Sequence, residues 1–289
     1  MTVSAARLEG ENAALALRQR LSLGHDAVDL EDVAARRGAL VFRKSFGHSA
    51  PDGMYVFDGE DAIVVINAAK PAQRQRFTLA HELGHHELHR VRGPLQLVDV
   101  DVTSDGPDGI KDPDEVAANA FAAHLLLPRT AIEHTIGPRR NRRVTTDDLV
   151  ELVRRHRVSW EAACWRLYNE GFVRRAECDR LLAEPRTATL ARHGIDDRHY
   201  ALSAPPVPAA LALDAARLWA AWDITDERLA QILECSVPDV LAAMDEWDIR
   251  REDRAGQAAE AGERALADAG IDLSDIVAAA ERADAEDAM

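Results

Sequence analysis

Residues 77–89, with the sequence FTLAHELGHHELH, determine how the rest of this chain is interpreted. The apolar side chains of this stretch are Phe77, Leu79, Ala80, Leu83 and Leu88. Pro71 suits the first turn of a helix, and Gly93 followed by Pro94 suits its end. Because most of the predicted helix is apolar, we expect its histidines to be buried polar groups that need partners.

The stretch contains the pattern His-Glu-x-x-His, formed by His81, Glu82 and His85. Residues four apart lie on one face of a helix, so both imidazoles can bind a single metal ion. Glu82 lies about 100° around the helix from His81, where it can reach a water beside the metal and act as a general base. Zinc suits this arrangement, because it accepts neutral imidazole and lowers the pKa of a bound water to about 7.

Two alternatives to this interpretation are open. The five-residue pattern arises from composition alone in roughly a few per cent of such chains. His85 and His89 are also four apart, but His86 follows the first of them, so that register has no glutamate base. We therefore expect His86 and His89 to lie at the surface or to support the ligands from outside.

Length and composition limit the class of protein. The 289 residues are 47% apolar and carry a net charge of −15, which argues against an overall affinity for nucleic acid or an anionic membrane. No run of eighteen apolar residues and no signal peptide are found. Cys164, Cys178 and Cys235 have no C-x-x-C spacing and are expected to be reduced. We expect a cytoplasmic protein with no membrane partner.

Before the His-Glu-x-x-His helix the periodicity predicts two helices and a small sheet. The helices are predicted at residues 5–22 and 29–37, and strands at 39–42, 54–57 and 62–66. The turn at 58–61 predicts an antiparallel hairpin between the last two strands. An edge strand beside a catalytic metal could bind an extended peptide through its backbone.

After that helix, residues 95–108 are polar and acidic, which is typical of a mobile loop. A second helix then begins near Asp112 and Pro113 and ends before Pro128. His124 and His134 have no partner at a spacing typical of metal ligands, so we expect them at the surface.

The second helix could supply a third metal ligand. Two histidines and one carboxylate leave a fourth position for water, as in open catalytic zinc sites. Glu115 is a candidate for this ligand, although helix statistics alone favour a solvated glutamate there, and Asn119, one turn later, could orient a histidine through its other ring nitrogen. Asp114 is the competing ligand, and a solvated glutamate in the first turn is the ordinary alternative for Glu115.

Two runs of sequence together resemble the ImmA/IrrE family of bacterial and phage zinc metallopeptidases. They are IVVINAAKPAQRQRFTLAHELGHHELH at 63–89 and DEVAANAFAAHLLLP at 114–128, and the resemblance covers about residues 30–135. It implies an α+β, gluzincin-like fold with a small antiparallel sheet. It also implies zinc bound by His81, His85 and Glu115, with Glu82 as the catalytic base. Family members often carry a further acid where this chain has Ala117, which favours Glu115 as the ligand.

The same resemblance implies the substrate, a helix-turn-helix repressor of the XRE type that is cleaved to release stress or mobile-element genes. Tyr55, His48 and His86 are candidates for the group that stabilises the oxyanion, and the sequence does not rank them. The alternative is a non-enzymatic regulator that binds DNA or sequesters a repressor and uses zinc structurally or as a sensor. Glu82 discriminates between them, because a purely structural site needs no base.

The expected domain organisation has four parts. Residues 1–137 form the metallopeptidase domain, 138–182 a helix-turn-helix-like segment, 183–208 a linker, and 209–289 a C-terminal helical domain with an acidic tail. Residues 139–182 hold eleven arginines against seven acidic residues, so a weak contact with DNA is an expectation beside simple helix packing.

Overall fold

The computed structural model describes residues 2–99, 112–138, 143–195 and 206–251. The chain divides into two compact units, residues 1–208 and 209–289. Across these described ranges, none of the helices has the length and apolar character that spanning a membrane requires. The acidic tail expected after residue 251 lies outside the described residues.

In the first half of the first unit, five helices and strands precede the His-Glu-x-x-His helix, and a 3-10 turn, a strand and a helix follow it. They are α1 (Val3–Arg20), α2 (Leu30–Arg37), β1 (Ala39–Lys44), β2 (Gly53–Phe57), β3 (Ala62–Asn67), α3 (Ala72–Leu88), a 3-10 turn (Arg90–Arg92), β4 (Leu95–Asp99) and α4 (Pro113–Leu126). Local chemistry explains several ends. Asp29 caps α2 by accepting from two backbone amides, and Gly38, with φ +77°, ends it. Asp112 caps α4, and Pro113 follows at its first position.

The sheet has the strand order β1-β3-β2-β4. The hairpin between β2 and β3 is antiparallel, as predicted, and the Asp58 carboxylate accepts from the turn amides of Glu60 and Asp61. β1, however, pairs with β3 in parallel, so the sheet is mixed rather than wholly antiparallel. The reason is the connection at 45–52, which passes the end of β3 before the chain enters β2.

β4 is a correction to the sequence analysis, which assigned residues 95–108 to a loop. Residues Leu95–Asp99 pair antiparallel with β2, and Leu95 lies opposite Phe57. Alternating leucines and the available edge of β2 outweigh the polar composition that follows. The rest of the expected loop, residues 100–108, lies outside the described residues.

α4 is buried between α3 and α1. A Cβ added at Gly84 of α3 would lie 3.0 Å from the Cα of Ala118, and one added at Gly10 of α1 would lie 2.0 Å from the carbonyl oxygen of Ala117. The contact at Gly10 leaves no room for a Cβ, and the contact at Gly84 would be tight for one, so a side chain at either position would push the helices apart. His124 of α4 is consequently buried rather than at the surface, and its Nδ1 lies 2.8 Å from the Ala120 carbonyl oxygen.

The second half of the first unit is helical. It consists of α5 (Arg129–Ile136), α6 (Thr146–His156), α7 (Trp160–Asn169), α8 (Arg175–Leu182) and α9 (Arg186–Arg192). Leu149, Leu152 and Leu167 are fully buried in the same hydrophobic core as α3 and α4. The segment 183–208 therefore differs from the expected irregular linker, since it contains α9 and the buried Ile195. Within it, residues 196–205 lie outside the described ranges.

The second unit contains α10 (Ala209–Ala220), α11 (Asp226–Ile232) and α12 (Val237–Glu246). Thr225 and Ser236 cap the last two helices through their hydroxyl oxygens. Its own small core includes Trp219, Leu229 and Met244.

The fold class is confirmed as α+β with a small sheet, a His-Glu-x-x-His helix and helical regions after it.

Candidate metal centre

α3 places His81 and His85 one turn apart on its buried face. The two Nε2 atoms lie 2.9 Å apart, and the ring centroids 4.6 Å. Two ring nitrogens directed at one point inside a protein need a shared partner, because burial of unpaired polar atoms is unfavourable. The helix alone could therefore supply two ligands of a metal ion.

Glu115, in the first turn of α4, reaches the same point. Its Oε2 lies 3.3 Å from His81 Nε2, and its Oε1 lies 3.4 Å from His85 Nε2. One donor atom from each of the three residues lies within 4.8 Å of the others. Two imidazole nitrogens and a carboxylate fit a divalent metal of the zinc type, and the partly exposed Glu115 leaves one side of the site open.

The charge state of Glu115 suits a ligand. Burial raises the pKa of its carboxyl group, but hydrogen bonds with His81 and His85 lower it more, so the pKa lies well below its usual range. A metal ligand must be deprotonated, and this carboxylate is deprotonated at neutral pH.

Asn119 lies one turn beyond Glu115 and is almost fully buried. Its Oδ1 is 3.0 Å from His81 Nδ1. An amide oxygen only accepts, so the proton is assigned to Nδ1 and the lone pair to Nε2, which faces Glu115 and His85. That Asn119 orients His81 for metal binding stays a prediction. The contact between Asn119 Oδ1 and His81 Nδ1 is the one that this role requires.

Glu82 is fully buried beside the ligand cluster, and the start of β2 packs against it. A Cβ added at Gly53 would lie 2.6 Å from Glu82 Oε1 and 2.5 Å from Thr78 Cγ2. The sequence analysis did not identify Gly53. The signal in the sequence was a glycine beside a predicted strand, because glycine at such a position often marks the close approach of another group to the backbone.

Asp114, the competing ligand, points elsewhere. Its Oδ2 lies 2.5 Å from Arg92 Nη1, and its Oδ1 lies 3.5 Å from His89 Nε2. The other ring nitrogen of His89, Nδ1, lies 2.8 Å from His85 Nδ1. The spacing that suggested His85 and His89 as rival ligands thus brings their outer nitrogens together. Burial, followed by the charge of His85, lowers the pKa of His89 to about 4.

The three oxyanion candidates occupy two places. Tyr55 is fully buried on β2, and its hydroxyl lies 3.0 Å from His86 Nδ1. His86 is also buried, and its Nε2 lies 3.0 Å from the Arg37 carbonyl oxygen and 2.9 Å from Arg90 Nη1. Burial lowers the pKa of His86 and raises that of Tyr55 to about 12. His48 is exposed on the 45–52 connection.

Residues 34–168 match the family model of the IrrE N-terminal-like domain. This region, a little under half of the chain, is similar to the ImmA/IrrE family. The matched region begins in α2 and includes the sheet, α3, α4 and the helices through most of α7. All residues of the candidate metal centre therefore lie inside the matched region, and the unit at 209–289 lies outside it.

Curated relatives agree with this family. Over 119 residues the chain is 35% identical to the radiation response metalloprotease IrrE of Deinococcus radiodurans, covering 38% of this chain and 32% of that protein. The IrrE of Deinococcus deserti is 36% identical over 124 residues, covering 40% and 38%. An uncharacterized immunity region protein 2 of Bacillus phage phi105 is 32% identical over 102 residues, covering 34% and 55%. The aligned region thus spans about a third of the Deinococcus proteins and about half of the phage protein.

Proposed function

We propose that this chain is a zinc endopeptidase whose centre consists of His81, His85, Glu115 and Glu82. The observation that carries the proposal is the convergence of the two Nε2 atoms, 2.9 Å apart, with the Glu115 carboxylate, whose oxygens lie 3.3 Å from one and 3.4 Å from the other, and a buried glutamate next to the first histidine. A structural zinc site is usually closed by four protein ligands and needs no additional carboxylate. The match of residues 34–168 to the IrrE N-terminal-like domain supports the same conclusion.

Zinc, when bound by His81, His85 and Glu115, would lower the pKa of a water and polarise the scissile carbonyl group. Glu82 then has two tasks at its carboxylate. It accepts a proton from the attacking water, and it donates that proton to the nitrogen of the leaving amine. The backbone of Gly53 restricts the position of the Glu82 Oε1 atom, so the base is held in one place before substrate binds.

Stabilisation of the oxyanion remains assigned to Tyr55, His86 or His48. The raised pKa of Tyr55 keeps its hydroxyl protonated and able to donate. In the present arrangement, however, that hydroxyl is paired with His86, and His86 is paired with the Arg37 carbonyl. Either donor must therefore leave its partner before it can serve a substrate, whereas the exposed His48 depends on how the 45–52 connection approaches the bound peptide.

A peptide substrate would bind in extended form along β4. This strand pairs with β2 on one side, and on its other side it pairs with no strand among the described residues. Its residue Asp99 lies opposite Gly53, which contacts Glu82, so the free edge leads toward the metal centre. Backbone pairing on this edge would hold many sequences, and the side chains would set the preference.

We infer that the substrate is a DNA-binding repressor of the helix-turn-helix type, in keeping with the family resemblance. The similarity to a phage immunity region protein is compatible with it. The non-enzymatic alternative would need a DNA surface. Several arginines in the described part of the 139–182 segment are instead paired within the chain, as in Arg154 with Glu151 and Arg175 with Asp179.

The test is incubation of this protein with the repressor encoded beside its gene, followed by mass spectrometry. The wild-type protein should cut the repressor at one bond, and Glu82→Gln should retain zinc and fold yet leave the repressor intact. Equal release of the repressor's target genes by wild-type and Glu82→Gln protein in cells would favour the non-enzymatic regulator.

A further inference from the structure

The outer nitrogen of His85 is held by another histidine instead of by a carboxylate or a backbone carbonyl. His85 Nδ1 lies 2.8 Å from His89 Nδ1, and His89 is 3% exposed. Beyond it, His89 Nε2 lies 3.5 Å from Asp114 Oδ1, and Asp114 Oδ2 lies 2.5 Å from Arg92 Nη1. Four side chains thus form one continuous line from the metal centre to the protein surface.

Metal binding at His85 would determine which nitrogen donates and which accepts along this line. A metal on Nε2 of His85 leaves the proton on Nδ1, which donates to His89 Nδ1. His89 must then carry its proton on Nε2, which faces Asp114 Oδ1 at 3.5 Å, an ion-pair distance. Asp114 accepts a hydrogen bond from Arg92.

We propose that His89, Asp114 and Arg92 are positioning residues that fix the ring orientation of His85 for metal binding. The inference rests on the metal site proposed above. Ligating histidines usually donate their second N–H directly to an acceptor, and here one imidazole is inserted between the ligand and the carboxylate. Asn119 performs the equivalent task for His81 in a single step.

The same line joins the two helices that carry the ligands. His85 and His89 belong to the end of α3, whereas Asp114 precedes the ligand Glu115 in the first turn of α4. Adjacent residues of one helix turn therefore have separate tasks, since Glu115 completes the metal site and Asp114 anchors its second histidine. Arg92, in the 3-10 turn after α3, keeps Asp114 charged and in place.

Zinc affinity measures this role without reference to peptidase activity. The holoprotein would be titrated against a chromophoric zinc chelator at pH 7.5. His89→Leu preserves bulk but removes the acceptor, and zinc should bind about 10- to 100-fold more weakly. His89→Gln returns an oxygen that can accept from His85 Nδ1, and most of the affinity should be recovered. His156→Leu is the matched control, because His156 is fully buried but bonds to Thr135 on α5.

A double variant tests whether Asp114 acts through His89. Asp114→Ala alone should weaken zinc binding, and it should add little once His89 is leucine. An affinity of His89→Leu within twofold of wild type would overturn the proposal, as would a His89→Gln variant no better than leucine or an equal loss in His156→Leu. If the proposed metal site itself is wrong, the His81→Ala variant would retain full zinc affinity. That outcome is distinct from the outcomes that overturn the role of His89.

Discussion

Gly84 of α3 lies directly against Ala118 of α4, so that a Cβ at position 84 would approach the Ala118 carbonyl oxygen to 3.1 Å and its Cα to 3.0 Å. Gly84 stands immediately before His85, and Ala118 immediately before Asn119. This tight contact between the two helices therefore lies beside the residues of the candidate metal centre. The distance between the helices determines whether Glu115 reaches both histidines.

Gly84→Ala should weaken zinc binding and destabilise the fold. Alanine in place of glycine favours a helix by about 1 kcal/mol, but overpacking against a helix backbone costs about 1–3 kcal/mol. We expect a net loss of about 1 kcal/mol in urea unfolding, with zinc affinity reduced as α4 moves outward. Gly24→Ala is the control, since nothing lies within 4 Å of a Cβ there. Unchanged zinc affinity in Gly84→Ala would show that the helix distance is not limiting.

Gly53→Ala should separate the base from the metal ligands. The new methyl group would lie 2.6 Å from Glu82 Oε1 and would displace that carboxylate, while His81 and His85 keep their places. A shift of about 1 Å in a catalytic group can cost on the order of 100-fold in rate. The expected result is a protein with normal zinc content and kcat/KM reduced by about that factor. Full activity would mean that Glu82 is not positioned by β2.

His156 should make the fold sensitive to acid. Burial, and next the charge of Arg155, lower the pKa of His156 from 6.5 to about 4, so the unfolded chain binds its proton more readily than the folded one. Stability is then lost as pH falls from about 6.5 toward about 4, by up to about 3 kcal/mol. His156→Gln, which can still bond to Thr135, should show a flatter profile in urea unfolding between pH 7 and 4.5. Identical slopes for the two proteins would contradict this account.

The sequence predicted the part of the site that depends on one helix. His81, Glu82 and His85 follow from helical spacing alone, and the hairpin followed from its turn residues. The approach of Glu115 could not be derived with equal force, because α4 is apolar on all sides and its spacing does not indicate which face meets α3. Gly84 and Gly10 set that packing, and small residues give little signal in a single sequence.

The errors have related causes. β4 was assigned to a loop because its partner strand is distant in sequence, and strand formation there depends on the free edge of β2. The parallel pairing of β1 depends on the path of a connection, which local periodicity does not encode. His124 was expected at the surface, since neither the burial of α4 by α1 nor its contact with Glu170 is visible in the residues around it.

The metal content of purified protein tests the central claim most directly. Wild-type protein and Glu82→Gln should each hold about one zinc per chain after dialysis, measured by mass spectrometry of the metal, because Glu82 is not a ligand. His81→Ala, His85→Ala and Glu115→Ala should hold almost none under the same conditions. Asp114→Ala binds zinc more weakly on this account, but with zinc in excess it should still reach one zinc per chain, since Asp114 faces Arg92 and His89 and is not a ligand. Full zinc occupancy in Glu115→Ala would contradict the account.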